Sequence, residues 1–203
     1  MIQFKNMKII VGLGNPDDKY KNTRHNIGRD FVEAFRKKNK FEDWSSHKKS
    51  NSLISKGEFN GENITLVLPE TYMNNSGKTL VEFVKTKKQA GETLVLHDDL
   101  DLGVGKLKIS FNKNSGGQKG VDSIIKLIKT KEFPRLRIGI APVTPSGKIK
   151  KVSGEDAVVK HVLSKFKASE LEYLKKVEKN VQKGIELFIE KGHVLATNEI
   201  NSW

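Results

Sequence analysis

Two short polar stretches hold the residues of this sequence best suited to activating water: Thr23-Arg24-His25-Asn26 and His97-Asp98-Asp99-Leu100-Asp101. A histidine is half-neutral near physiological pH and takes a proton from water when its ring is held in one tautomer. A carboxylate on the far ring nitrogen does that holding. His25 is the candidate base and Asp98 the candidate carboxylate. Asn15 and Asn74 add neutral amides, which can donate to a developing oxyanion or align an acyl group.

Other readings of the same residues stay open. There are five histidines, and a lone histidine is more often structural than catalytic, so the weight falls on the pairing. The run His97, Asp98, Asp99, Asp101 looks like a hard-metal cluster, but neighbours on an extended chain point to opposite sides and would not face one ion. Ser76 and Ser115 sit beside glycine without the Gly-x-Ser-x-Gly setting of a serine nucleophile. Gly12-Leu13-Gly14 follows an apolar run, as a dinucleotide loop would. Asp17 stands where the third glycine of that fingerprint belongs, and a tight turn is the better account. Asparagine is also common in turns, so Asn15 and Asn74 have a structural reading too.

Positioning these groups falls to an alternation of apolar β-type runs and helix-type patterns, which predicts an α/β fold. Strands are expected at Lys8–Gly12, Ile64–Leu68, Thr93–His97 and Leu136–Ile140, with a short one at Leu107–Phe111. Helices are expected at Ile27–Lys40, Gly77–Lys87 and Val121–Ile128. The clearest runs from Ser169 to Lys191, opened by a Ser169/Glu172 capping box and ended by Gly192. Ala141–Gly154, with two prolines and two glycines, reads as a loop. The first three strands each lead into a dense polar motif. If they are parallel, the motifs meet at one edge of the sheet, where open α/β sheets bind ligands.

Composition narrows the class. With 203 residues, 36% hydrophobic and 30% charged, the chain has the size and polarity of one globular domain. No apolar run approaches the roughly 20 residues of a membrane span, and Met1–Lys8 lacks the apolar stretch of a secretory signal. The absence of cysteine rules out disulfides and thiolate metal sites. A net charge of +13 favours a polyanionic partner, since each neutralised phosphate releases counterions, although solvated surface lysine gives the same number.

Taken in order, IIVGLGNPDDKYKNTRHNIG, LPETYMNNSGKTL, LHDDLDLGVGKLKI, SGGQKGVDSI, RLRIGI and HVLSKF resemble the bacterial-type peptidyl-tRNA hydrolase family across roughly residues 8–166. The resemblance implies a single α/β domain over residues 1–203, a mixed twisted sheet flanked by helices, and metal-free hydrolysis of the ester joining a peptide to the terminal ribose of tRNA. It implies His25 as base, Asp98 as its support and Asn15 as a peptide contact. It implies Tyr20, Tyr72 and Asn74 as contacts to the tRNA end or substrate, and Arg137 as a basic group near the tRNA backbone. We therefore expect a cytoplasmic monomer acting on tRNA, with no cofactor, no metal and no membrane association. The alternative is a non-catalytic RNA-binding protein of the same fold.

Two departures matter. The family reads Gly-Gly-His-Asn-Gly where this chain has Gly116-Gly117-Gln118-Lys119-Gly120. Lys119 has donors but no acceptor, and Gln118 replaces hydrogen bonds of a histidine without taking a proton. Lys119 is nonetheless expected to bind substrate, through a tRNA phosphate at the start of the following helix. Asp17 stands where the family favours glycine.

Overall fold

The computed structural model describes residues 7–203, so most of the Met1–Lys8 reading lies outside the described residues. One seven-stranded sheet forms the frame. Its strands are β1 (Lys8–Gly12), β2 (Ser45–His47), β3 (Ser52–Phe59), β4 (Glu62–Pro69), β5 (Thr93–Gly103), β6 (Leu107–Ser110) and β7 (Arg135–Ala141). They lie in the order β2-β3-β4-β1-β5-β7-β6. The central four, β4-β1-β5-β7, are parallel, while β2, β3 and β6 add antiparallel edges.

Helices cover both faces: α1 (Ile27–Lys38), α2 (Ser76–Leu80), α3 (Lys87–Gly91), α4 (Lys119–Ile128), α5 (Glu155–Val162) and α6 (Ala168–Ile200). The two-residue period of a strand divides the apolar runs between two cores. Ile10, Leu66, Leu68, Leu94 and Leu96 join α1 and α6 in one. Ile9, Val11, Val67 and Val95 join residues of α2 and α4 in the other. Burial on both faces explains why these strands read as continuous apolar segments. Among the described residues no helix is long and apolar enough to cross a membrane.

Chain order runs from β1 to β4 on one side, then to β5 on the other. The carboxyl end of β1 is therefore a point where strand order reverses, the place for a ligand crevice. α1 starts there and lies flat on the sheet, since a Cβ at Gly28 would collide with the Leu96 carbonyl. This close approach carries the turn before α1 onto the end of β5.

The structure departs from the expected elements in several places, α5 among them, since no helix was expected between the Ala141–Gly154 loop and the last helix. The expected helix Gly77–Lys87 is broken, because Thr86 opens a new one: its side chain accepts from the Gln89 N–H, and Gln89 accepts in return. β5 continues to Gly103, so the HDDLD residues lie within the strand rather than after it. The β3–β4 hairpin and β2 were not foreseen. The turn Asn60-Gly61, with φ of 49° and 81°, is the strongest short-range signal for such a hairpin. The last helix begins at Ala168 with its cap at Lys167, two residues before the expected Ser169, and the Glu170 carboxylate rather than Glu172 accepts from the cap N–H at 2.6 Å. Gly192, at φ 74° and ψ 176°, interrupts it as expected, after which the chain resumes helical form to Ile200.

Candidate active site

His25 sits in a single 3-10 turn, Arg24–Asn26, that feeds α1. Asn26 locks this turn to the loop after β1. Its Oδ1 accepts the Asn15 N–H and its Nδ2 donates to the Asn15 carbonyl, both at 2.9 Å. Asn15 in turn accepts the Met73 N–H on Oδ1 at 2.9 Å, joining the loop after β1 to the loop after β4. Asn15 is buried, and its Nδ2 has no protein acceptor among the described residues. The turn is clamped from behind as well. Arg24, 3% exposed, donates to Glu170 at 2.7 Å and to Ser164 Oγ at 3.2 Å, and its guanidinium lies 4.5 Å from the Phe166 ring centre.

The expected pair is formed. His25 Nδ1 stands 2.8 Å from Asp98 Oδ2. A carboxylate only accepts, so in the neutral ring Nδ1 carries the hydrogen and Nε2 keeps its lone pair. Burial pulls the imidazole pKa down, but the charge of Asp98 and its hydrogen bond together outweigh burial and hold it above the usual histidine value. Burial alone would raise the Asp98 carboxyl. The His25 charge and hydrogen bond, the Gln118 hydrogen bond and His97 outweigh it and hold the group below the usual carboxylate range.

Strand alternation separates the acidic run, as the sequence implied. Asp98 faces His25, while Asp99 accepts from Arg137 Nε at 2.6 Å. His97 is buried with Nδ1 donating to the Asp98 carbonyl at 2.7 Å. Among the described residues no three His, Cys, Asp or Glu side chains converge as a metal site.

His25, Asp98, Gln118 and Lys119 line one cleft of about 510 Å³, whose apolar wall is Leu100 with Val158, Val159 and Val162 of α5. Neither Asn15 nor Asn74 lines this cleft; Asn15 is bonded to the start of the Met73–Asn75 turn, on which Asn74 is exposed. Tyr20 and Tyr72 meet edge to face at 6.4 Å between ring centres, and the Tyr72 hydroxyl donates to Asp17 at 2.9 Å. Asp17, the second departure, thus tethers Tyr72. Neither tyrosine lines the His25 cleft. Arg137 belongs to a neighbouring cavity of about 600 Å³ with Lys108, Lys113 and Arg135. Lys119 is exposed at the first position of α4.

Two contacts at this site were not foreseen. Gln118 Nε2 donates to Asp98 Oδ1 at 2.9 Å, and Arg24 pairs with Glu170 across 146 residues. Neither leaves a local signal in sequence, because each depends on how distant elements are stacked.

Known proteins agree with this architecture. The family model described as peptidyl-tRNA hydrolase matches residues 9–203. The peptidyl-tRNA hydrolase of Herpetosiphon aurantiacus is 39% identical over 197 residues, covering 96% of this chain and 90% of that one. That of Aquifex aeolicus is 41% identical over 178 residues, with 85% of each covered. The crystal structure of peptidyl-tRNA hydrolase from Acinetobacter baumannii superposes with a TM-score of 0.85 at 32% identity, covering 98% of this chain and 96% of that one. A match that leaves out only residues 1–8, on relatives aligned over most of their own length, means that the chain belongs to the peptidyl-tRNA hydrolase family.

Proposed function

We propose that this enzyme releases peptide from peptidyl-tRNA with His25 as general base, Asp98 as its orienting carboxylate and Asn15 as an acyl contact. The observation that carries the assignment is the His25–Asp98 contact at 2.8 Å, with Nε2 left free beside the cleft. Nε2 takes a proton from water as the water oxygen attacks the ester carbonyl. Asn15 Nδ2 donates to the carbonyl oxygen as charge gathers there. When the tetrahedral centre collapses, the ribose oxygen leaves and takes the proton back from the imidazolium. The products are a peptide carboxylic acid and tRNA with a free terminal hydroxyl.

The apolar wall of the cleft suits the peptide. Asn74, Tyr20 and Tyr72 stand by the neighbouring loops as contacts for the substrate or the tRNA end. Lys119 and Arg137 supply cationic contacts to its backbone, in keeping with the net charge of +13. We read residues 1–203 as one domain, working as a monomer in the cytoplasm, where such substrates arise.

The test compares peptide release from N-acetyl-aminoacyl-tRNA with release from unblocked aminoacyl-tRNA, for wild type and His25→Ala. Wild type should cleave the blocked substrate preferentially. His25→Ala should lose about 10²–10⁴-fold in rate with tRNA binding nearly intact. Near-normal turnover in folded His25→Ala removes His25 from the mechanism. Binding without release by wild type leaves the RNA-binding alternative.

A further inference from the structure

Asp98 is buried, and a buried carboxylate stays charged only through what touches its oxygens. Oδ2 faces His25, and Oδ1 accepts from Gln118 Nε2 at 2.9 Å. The same Gln118 carboxamide caps α4, where Oε1 accepts the Val121 N–H at 2.8 Å. Its orientation is fixed by polarity. Turning the amide over would set Oε1 against a carboxylate oxygen and Nε2 against an N–H, losing both hydrogen bonds. The start of α4 is thereby tied through one planar group to the carboxylate that orients the base.

We propose that Gln118 is a positioning residue for the hydrolysis, holding Asp98 towards His25 through a hydrogen bond that does not titrate, so that the ionisation governing turnover is that of His25 alone. This rests on the hydrolase reading above. The family's histidine at this place would bring a second imidazole to Asp98, with an ionisation of its own near neutrality. A carboxamide brings none. The remaining charged and titratable groups nearby are few. Lys119 follows Gln118 on α4, and Glu155 on α5 lines the same cleft. Asp99 on β5 is engaged by Arg137, and His97 is buried against the Asp98 carbonyl.

Gln118→Glu separates positioning from capping. Its Oε1 still accepts the Val121 N–H, and a carboxylate suits a helix N-terminus, so α4 keeps its cap. Against Asp98 Oδ1, however, a donor becomes a second carboxyl, and two carboxyls at that range share a proton. As pH rises the shared proton leaves and the pair repels. For wild type, kcat on N-acetyl-aminoacyl-tRNA should climb through the His25 ionisation to an alkaline plateau. For Gln118→Glu the profile should be bell-shaped, with kcat about 10-fold or more below that plateau, KM within about two-fold and a melting temperature that falls only as pH rises and the pair ionises. Gln118→His, which keeps a donor, should retain neutral turnover with an added ionisation.

The His25 ring signals in an NMR titration without substrate should move to higher pH in Gln118→Glu. That reading stands apart from whether tRNA is cleaved at all. A wild-type plateau, kcat and His25 midpoint in folded Gln118→Glu would mean that Gln118 only caps the helix, and the proposal falls. Should Gln118→Glu not fold, Gln118→Met decides: it has the size but no donor, so lowered kcat at unchanged KM supports the proposal and full kcat overturns it.

Discussion

Replacing Glu170 with alanine removes the anchor of Arg24, the residue directly before the proposed base. Arg24 is 3% exposed, and the Glu170 side chain is 17% exposed. Breaking a fully buried ion pair by removing one partner costs about 3–5 kcal/mol, because the remaining charge is left uncompensated. Partial exposure of Glu170 lets water reach the gap and brings this to about 2–3 kcal/mol. Losing the acceptor for the Lys167 N–H adds up to about 1 kcal/mol. No replacement partner is at hand, since Nη1 of Arg24 is already buried without one. The total is about 3 kcal/mol, measured by urea unfolding at neutral pH.

The pH dependence carries its own check. Burial alone raises the Glu170 carboxyl, but the hydrogen bonds and charges of Arg24 and Lys167 outweigh it, so the folded value lies below the ordinary 4.5. A depressed carboxylate contributes stability that is present above its unfolded pKa and is lost as pH falls through the folded one. The gap between wild type and Glu170→Ala should therefore be full at pH 7 and narrow below about pH 4. The Arg24 N–H to Ser164 carbonyl bond, 3.0 Å, stays in place, so the turn loosens without detaching. Displacement of His25 by a fraction of an ångström should lower kcat about 10-fold at similar KM. The double variant Arg24→Met/Glu170→Leu, with no charge left to strand, should be more stable than Glu170→Ala alone. A loss below about 1 kcal/mol at neutral pH, or a gap that does not change with pH, refutes the clamp.

Three further outcomes are expected. Asn15→Asp keeps an acceptor for the Met73 N–H but loses the Nδ2 donor, so stability should hold within about 1 kcal/mol while kcat falls about 10²-fold; equal kcat in a single-turnover assay removes Nδ2 from the chemistry. Asp30 in α1 is raised by burial, against a lowering influence of Arg29, from the ordinary 3.8 to about 6. A raised carboxyl contributes stability present below the unfolded pKa and lost as pH rises through the folded one, so Asp30→Asn should stabilise at pH 7.5 by up to about 3 kcal/mol, with the advantage fading towards pH 4; thermal melts across that range check it. Arg137→Ala should lower the slope of log tRNA affinity against log salt by less than the full unit of a free phosphate contact, because Asp99 already holds that guanidinium; a full unit would mean that the ion pair opens on binding.

Much of the frame was legible because both sheet faces are buried. Ile9, Ile10 and Val11 read as one apolar run, and Ile27, Phe31 and Phe35 gave α1 its buried face. The His25–Asp98 pairing was legible from chemistry, since few residue types hold an imidazole in one tautomer. The resemblance strengthened it, and the geometry of the contact agrees. What sequence hid has two physical sources. Short polar elements carry no apolar period: β2 is Ser45-Ser46-His47, and it exists because β3 offers it an edge. Side-chain contacts across elements depend on which rotamer a neighbour leaves free. Gln118 looked like a loss because the family's histidine was absent, yet its amide reaches the oxygen of Asp98 that His25 does not use.

The alternation along β5 also decides where positive charge is available to an anionic substrate. Asp98 turns towards His25 and α1, whereas Asp99 turns to the side where β7 presents Arg137, its own register partner being Gly139. The strand therefore neutralises the cation nearest the sheet while supporting the base on its other face. Arg135, also on β7, is buried, and its Nη1 and Nη2 donate to the Asn114 and Lys113 carbonyls, at 3.1 and 3.0 Å. The guanidinium groups of β7 thus hold the glycine-rich approach to α4 and the acidic strand in place before they meet any phosphate. Lys108, Lys113 and Lys119, exposed and without a carboxylate partner among the described residues, keep their charge for solvent. In the proposed function, most of the salt-dependent attraction to tRNA at this edge is expected from these lysines, because a point charge on a flexible stem, unlike a paired guanidinium, gives up no hydrogen bond when a phosphate arrives.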